Sequence, residues 1–289
     1  MGCRQCPRAC DVDRSDVSSV CGMGSDMRIA RIAPHFFEEP CISGTRGSGT
    51  VFFSGCCLKC AYCQNDSISH QNKGRVFSPA DLAESLRKLT ETGVHNINFV
   101  TPTHYADRIM ETLRIYRPPL PIVWNTSGYE SPETLKRLEG LVDIYLPDLK
   151  HFSSRISALI CKAPDYFDFA SKALIEMRRQ TGVAQYDENG IMQKGTLVRH
   201  LILPGLTGES MKLLNWFKEN MSDTPLSLMR QYTPTSGIHI QGLDRRVTDR
   251  EYERVLSHML ALDLEGFTQE KESADAVYTP AFNHQDSFL

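Results

Sequence analysis

Residues 55–65 read GCCLKCAYCQN, and the apolar run 50–53 leads directly into them. A hydrophobic core needs none of these thiols. Disulfides between such near neighbours would be strained, because a bridge needs Cα atoms several Å apart with converging Cβ vectors. A metal or cluster site is the remaining reading. Cys56, Cys60 and Cys63 are spaced C-x3-C-x2-C. Three thiolates from one compact loop suit three irons of a [4Fe-4S] cluster and leave the fourth iron open to a substrate or cofactor. A structural zinc takes four protein ligands, one more than this loop offers. Cys57 is out of phase with the other three and is expected to point elsewhere. An aromatic residue, Tyr62, stands just before the last cysteine.

Working outward from this loop, β-like runs alternate with helical patterns. Strands are expected at 50–54, 96–100, 121–124, 142–146, 196–203 and 226–230. Helices are expected at 81–89, 106–116, 132–138, 166–179, 211–220 and 249–262. Ser78 suits the N-cap of the first helix, Pro79 its first position and Gly93 its C-terminal stop. Strand–helix alternation of this kind gives parallel strands with crossover helices. Six such units predict an α/β fold, a partial (β/α)6 TIM-type barrel, open rather than closed. In these folds the chemistry gathers at the C-terminal ends of the strands. The domain expectation is a Cys-rich metal-binding head at 1–24, a connector at 25–49, the barrel at 50–267 and a polar tail at 268–289.

The 289 residues are 41% hydrophobic and 23% charged, with a formal net charge of −3. No block of Lys and Arg supplies a basic groove, so nucleic acid is not expected as a partner. No apolar stretch approaches the roughly 18 residues of a membrane helix. The N-terminus lacks the apolar segment of a secretory signal. A cytoplasmic location is therefore expected, where thiols stay reduced and ten cysteines favour metal sites over disulfides.

The stretches GTRGSGTVFFSGC (44–56), CQN (63–65), HNINFVTPTH (95–104), VWNTSGYE (123–130), VDIYLPDLKH (142–151), VRHLILPG (198–205) and LMRQYTP (228–234) carry a resemblance over nearly the whole chain. With the C-x3-C-x-aromatic-C loop, they resemble the radical S-adenosylmethionine (SAM) superfamily, in the branch similar to pyruvate formate-lyase activating enzymes. The resemblance implies that Cys56, Cys60 and Cys63 hold the cluster and that its open iron binds SAM. It implies reductive cleavage of SAM to a 5′-deoxyadenosyl radical that abstracts hydrogen. A glycine of a glycyl-radical enzyme is the implied target; another peptide or a small molecule is the alternative, and a non-enzymatic electron-transfer protein a further one. Reduced flavodoxin or ferredoxin is the implied electron donor.

The same resemblance nominates SAM-contacting residues at the strand ends, together with Tyr62 of the cluster loop. After the second strand, Thr101 and Thr103 stand where relatives carry Gly-Gly-Glu, so hydroxyls replace a carboxylate; Thr103 is equally suited to capping the next helix. After the third strand, Asn125 and Ser127 allow close approach to the ribose and methionyl part, or simply build a turn. After the fourth, Asp148 and Lys150 leave the strand on one side, by the period of two. Lys150 would meet the SAM carboxylate, unless the two form a surface ion pair. Arg199 and His200 interrupt the fifth strand, and His200 is placed in the barrel lumen near SAM or as a satisfied structural histidine. Gln231, at the end of the sixth strand, could hydrogen-bond adenine.

In the head, Cys3, Cys6, Cys10 and Cys21 read C-x2-C-x3-C-x10-C. Four thiolates suit a zinc ion or a second iron–sulfur cluster, which spacing does not separate, and the remaining alternative is that they bind no metal.

Overall fold

The computed structural model describes residues 2–15, 19–234, 240–269, 282 and 288. In chain order the elements are β1 (Met27–His35), α1 (Pro40–Ser43), β2 (Ser48–Phe53), α2 (Asp66–Ser69), β3 (Arg75–Phe77), α3 (Pro79–Glu91) and β4 (Ile97–Val100). A 3-10 turn at Thr103–Tyr105 leads into α4 (Ala106–Ile115), β5 (Ile122–Thr126), α5 (Pro132–Leu138), β6 (Ile144–Pro147), α6 (Ser154–Cys161) and α7 (Tyr166–Thr181). There follow β7 (Gln185–Tyr186), β8 (Met192–Thr196), β9 (Val198–Leu201), α8 (Thr207–Met221), β10 (Leu226–Met229), α9 (Asp249–Ala261) and β11 (Gly266–Thr268).

Parallel pairing runs β2-β4-β5-β6-β8 and continues β9-β10-β11. The two sheets meet where Asp148 bridges Arg199, with Leu149 N donating to Arg199 O at 2.7 Å. Strands β1 and β3 add antiparallel at one edge and β7 at the other, giving a mixed sheet in the order β3-β1-β2-β4-β5-β6-β8-β7. All six expected strands are present, and the α/β class is as read from the alternation. Three expectations are corrected. Residues 25–49 are not a plain connector: they hold β1, which pairs with β2 along most of its length. The expected fifth strand, 196–203, is β9 against β10, and a separate strand not foreseen, β8, precedes it against β6, with a break at Leu197. The expected polar tail begins inside β11, and Phe282 and Phe288 pack against the barrel; the rest of the tail lies outside the described residues.

One face of the sheet is apolar and takes the helices. Phe53, Phe99, Trp124 and Tyr145 pack with Leu82, Leu86, Ile109, Leu113, Leu135 and Leu138 from α3, α4 and α5. Each such side chain, fully buried, contributes about 1.5–3 kcal/mol. The opposite face lines the lumen and is partly polar, with Asn98, Asn125, Asp148 and Arg199 facing one another across the curl. Glu38, beyond the end of β1, reaches over to β4, β5 and β9 at once. No helix among the described residues is long and apolar enough to cross a membrane.

Candidate active site at the strand ends

A cavity of about 250 Å³ opens over the C-terminal ends of the strands. Cys56, Cys60 and Cys63 line it, as do Tyr62, Thr101, Asn125, Ser127, Asp148 and Lys150. Arg199, Glu38, Phe37, Thr126 and Gln231 also belong to its wall. Residues at the ends of the parallel strands β4, β5, β6, β9 and β10 thus face one cysteine loop.

The loop is shaped by two backbone positions in the left-handed region. Lys59 has φ 49°, which folds the chain between Cys56 and Cys60. Gly55 has φ 82°, and a Cβ there would lie 2.3 Å from the Met23 side chain, so only glycine fits between strand end and head. Each of the three sulfurs has a partner. Leu58 N donates to Cys56 Sγ at 3.4 Å, Ser69 Oγ donates to Cys63 Sγ at 3.1 Å, and Cys60 Sγ is 3.2 Å from Cys161 Sγ. The Cys56 thiol falls to about 6, chiefly because Cys57 donates to it, while burial lifts Cys63 to about 12. A cubane cluster holds its thiolates around a volume rather than at one point. Three sulfurs ringing a cavity, with hydrogen-bond donors behind them, fit such a group. Cys57 does not line the cavity; it is buried, with its thiol against those of Cys6 and Cys56.

On the strand side, Lys150 Nζ lies 2.7 Å from Asp148 Oδ2, and Arg199 Nε lies 3.0 Å from Asp148 Oδ1. Burial pushes the Asp148 carboxyl up, but the two cations outweigh it and hold it below the usual carboxylate range. Burial likewise opposes charge on Lys150, and Asp148 with its neighbours overcomes this. Arg199 also donates to Glu38 Oε2 at 3.1 Å and to Asn125 Oδ1 at 2.5 Å. Tyr166, the first residue of α7, joins two loops: its hydroxyl accepts from Lys150 N at 3.0 Å and lies 2.8 Å from the carbonyls of Ser127 and Asp148. Gly128 makes this junction possible, since a Cβ there would sit 2.2 Å from Asp148 O. Thr101 adopts φ 58°, an uncommon conformation for a β-branched residue, at the cavity wall.

Two nominated residues lie elsewhere. Thr103 is buried behind the wall, donating to Glu130 Oε1 at 2.6 Å. His200 faces away from the lumen toward α8, with Nδ1 2.6 Å from Leu149 O and Nε2 2.8 Å from Ser210 Oγ. By the period of two, its neighbour Arg199 takes the lumen position. The cysteines of the head are also divided. Cys6 packs with Cys57 and Cys60, whereas Cys21 packs with Met23 and Met27, 3.4 Å from Ser19 Oγ. No three His, Cys, Asp or Glu side chains among the described residues are drawn together as single-ion ligands. The head itself grips the barrel. Arg8 donates to Cys57 O at 2.9 Å, Cys161 O at 3.1 Å and Lys162 O at 2.6 Å.

Sequence reasoning passed over Glu38, Glu130, Tyr166 and Cys161. Glu38 lay in a segment read as connector, although the pair Glu38-Glu39 beside Pro40 is an unusual charge within a stretch rich in small residues. Glu130 is fully buried; Oε1 accepts from Thr103, Thr126 and Trp124, while Oε2 has no partner. Burial, only partly offset by those donors, raises its carboxyl to about 7.

Residues 50–217, more than half of the chain, match the family model described as the Radical SAM superfamily. The chain is 27% identical to the uncharacterized protein MJ0674 of Methanocaldococcus jannaschii, over 88% of this chain and 73% of that protein. A shorter similarity, 31% over 111 residues, relates it to the 7-carboxy-7-deazaguanine synthase of Methanothermobacter thermautotrophicus, covering 37% of this chain and 44% of the synthase. Among solved structures, a radical SAM methyltransferase from Sphaerobacter thermophilus aligns with TM-score 0.53 and 16% identity, over 76% of this chain and 65% of that one. The cysteine loop after β2, the parallel sheet and the family match agree, and the chain belongs to the radical SAM superfamily.

Proposed function

We propose that Cys56, Cys60 and Cys63 bind a [4Fe-4S] cluster and that the cavity beside them binds SAM. When bound, the cluster and SAM supply one-electron cleavage of the sulfonium, which yields methionine and a 5′-deoxyadenosyl radical. The observation that carries this reading is the convergence of the three cysteines and of Thr101, Asn125, Ser127, Asp148 and Lys150 on one cavity. The chain's own part is to orient and to exclude water. Lys150, held by Asp148, presents a cation to a carboxylate. Asn125 and Ser127 present hydrogen-bonding groups to the ribose and methionyl part, and Thr101 takes the place of the carboxylate that relatives direct at an amino group. Tyr62, packed edge-on to Tyr232 and His151, forms an aromatic wall.

For the hydrogen donor, the resemblance of the quoted motifs supports a glycyl-radical enzyme as protein partner, with reduced flavodoxin or ferredoxin as electron source. The similarity to a synthase of a deazaguanine supports a small-molecule substrate as the second reading. Anaerobic reconstitution tests the site. The reduced protein is expected to give a [4Fe-4S] EPR signal that changes on adding SAM, with 5′-deoxyadenosine formed under dithionite. Replacing Cys56, Cys60 or Cys63 by Ala removes the signal, and Cys57→Ala keeps it. Loss of the cluster in Cys57→Ala together with retention in Cys56→Ala overturns the ligand assignment. Crosslinking in cell extract then separates a protein partner from a small molecule.

A further inference from the structure

We infer that Cys161 sets the reduction potential of the cluster by donating its thiol hydrogen to the sulfur of Cys60; this rests on the cluster reading above. The two sulfurs are 3.2 Å apart, and both residues are buried, Cys161 fully. As free thiols either could donate. Once Cys60 is a thiolate on iron it has no hydrogen, and Cys161 is left as the donor of the pair.

The contact is built into two backbones that are tied together. Cys161 is the last residue of α6, which Lys162 ends in the left-handed conformation at φ 52°. Ala61, directly after Cys60, donates its N–H to Ile160 O at 2.9 Å. Arg8 then bonds the carbonyls of Cys161 and Lys162 on one side and of Cys57 on the other. The main chains of the cluster loop and of the end of α6 are therefore tied together, which keeps the two buried cysteines side by side. A hydrogen bond to a cluster sulfur draws off negative charge. It favours the reduced, more negative cluster and raises the potential. A radical-forming cluster works by giving up one electron, so the partner of a ligand sulfur bears directly on that step.

The test is an EPR-monitored redox titration of the reconstituted full chain. Cys161→Ala and Cys161→Val delete the donor, the latter while filling the space, and Cys161→Ser keeps an O–H donor. The ratio of reduced to oxidised cluster at a fixed potential is expected to fall about tenfold in the Ala and Val variants, which is 59 mV for one electron. Cys161→Ser is expected to remain near the unsubstituted protein, and iron and sulfide content to be the same in all four. Should the Ala variant not fold, the Val variant carries the comparison. Ala and Val variants that titrate with the unsubstituted protein make Cys161 a packing thiol and overturn the inference. Folded Ala and Val variants that hold no cluster make Cys161 a ligand and overturn it equally. A failure of the unsubstituted protein to assemble a cluster instead overturns the reading of the site itself, so the two failures are distinct.

Discussion

Asp148 carries two cations at once, Lys150 at 2.7 Å and Arg199 at 3.0 Å. The triad is mostly buried, with side-chain exposures of 20%, 16% and 14%. Deleting Lys150 leaves Asp148 still paired with Arg199, so the fold survives. Lys150→Met is expected to weaken SAM binding by about 1.5–3 kcal/mol, the range of a charged hydrogen bond. Equilibrium binding to the reconstituted protein reads this, and unchanged affinity would leave Lys150 a structural ion pair only. At Glu130 the effect is one of stability. Its carboxyl titrates near 4.5 when unfolded and about 7 when folded. Between those values the native state binds more protons, so its contribution to stability falls as pH rises from about 4.5 to 7 and is level beyond. The difference amounts to about 3 kcal/mol. In Glu130→Gln the amide oxygen still accepts from Thr103, Thr126 and Trp124, and the charge is gone. Urea unfolding of the cluster-free protein between pH 5 and 8 should show the variant gaining on the unsubstituted protein as pH rises. Parallel pH profiles would contradict the assignment.

At the level of elements, the local signals were readable where they are strongest. Ser78 caps α3: its Oγ accepts from Asp81 N at 3.2 Å, and Asp81 Oδ2 accepts from Ser78 N at 3.0 Å. Ser78→Ala is expected to cost about 1 kcal/mol in urea denaturation. Residues 248–251 carry the same signature, Thr248 and Glu251 forming a second box at the start of α9. β1 escaped notice because Arg28 and Arg31 interrupt its apolar positions; as a strand with one well-buried face it tolerates both. α6 escaped because its eight residues bury only Ser157, Ile160 and Cys161, too few to show a period. β8 escaped because Gln193, Lys194 and Gly195 break any apolar pattern, and its separation from β9 arises where one sheet hands over to the next.

Across the whole molecule, the head is part of the barrel's construction. Beside the contacts of Arg8, Gln5 O accepts from Thr134 at 2.9 Å and Gln5 Oε1 accepts from Asp107 N at 3.3 Å, which ties the head to α4 and α5. Arg14 reaches the carbonyl of His104. Arg8→Ala is expected to lower the stability of the cluster-free protein by about 1–3 kcal/mol, with Arg8→Lys only partly restoring it, because a single ammonium lacks the fork that serves three carbonyls. Equal unfolding midpoints for all three proteins would detach the head from the cluster loop.

The residues alone determined what depends on neighbours in the chain. The C-x3-C-x2-C spacing, the alternation of strands with helices and the caps act over a few positions, so their physics is complete within the segment. Only the tertiary structure decided which side chains meet. His200 and Arg199 are adjacent in a strand, so the pleat sets them on opposite faces, and only the tertiary structure decides that the lumen face is the arginine's and the α8 face the histidine's. Glu38 and Arg199 are 161 positions apart, and Cys60 and Cys161 are 101 apart. Cys6 and Cys21, close in the chain, are drawn into different apolar clusters. Such pairings arise from the long-range closure of the sheet, whose side-chain directions follow from strand register and twist, and neither is encoded in any short window.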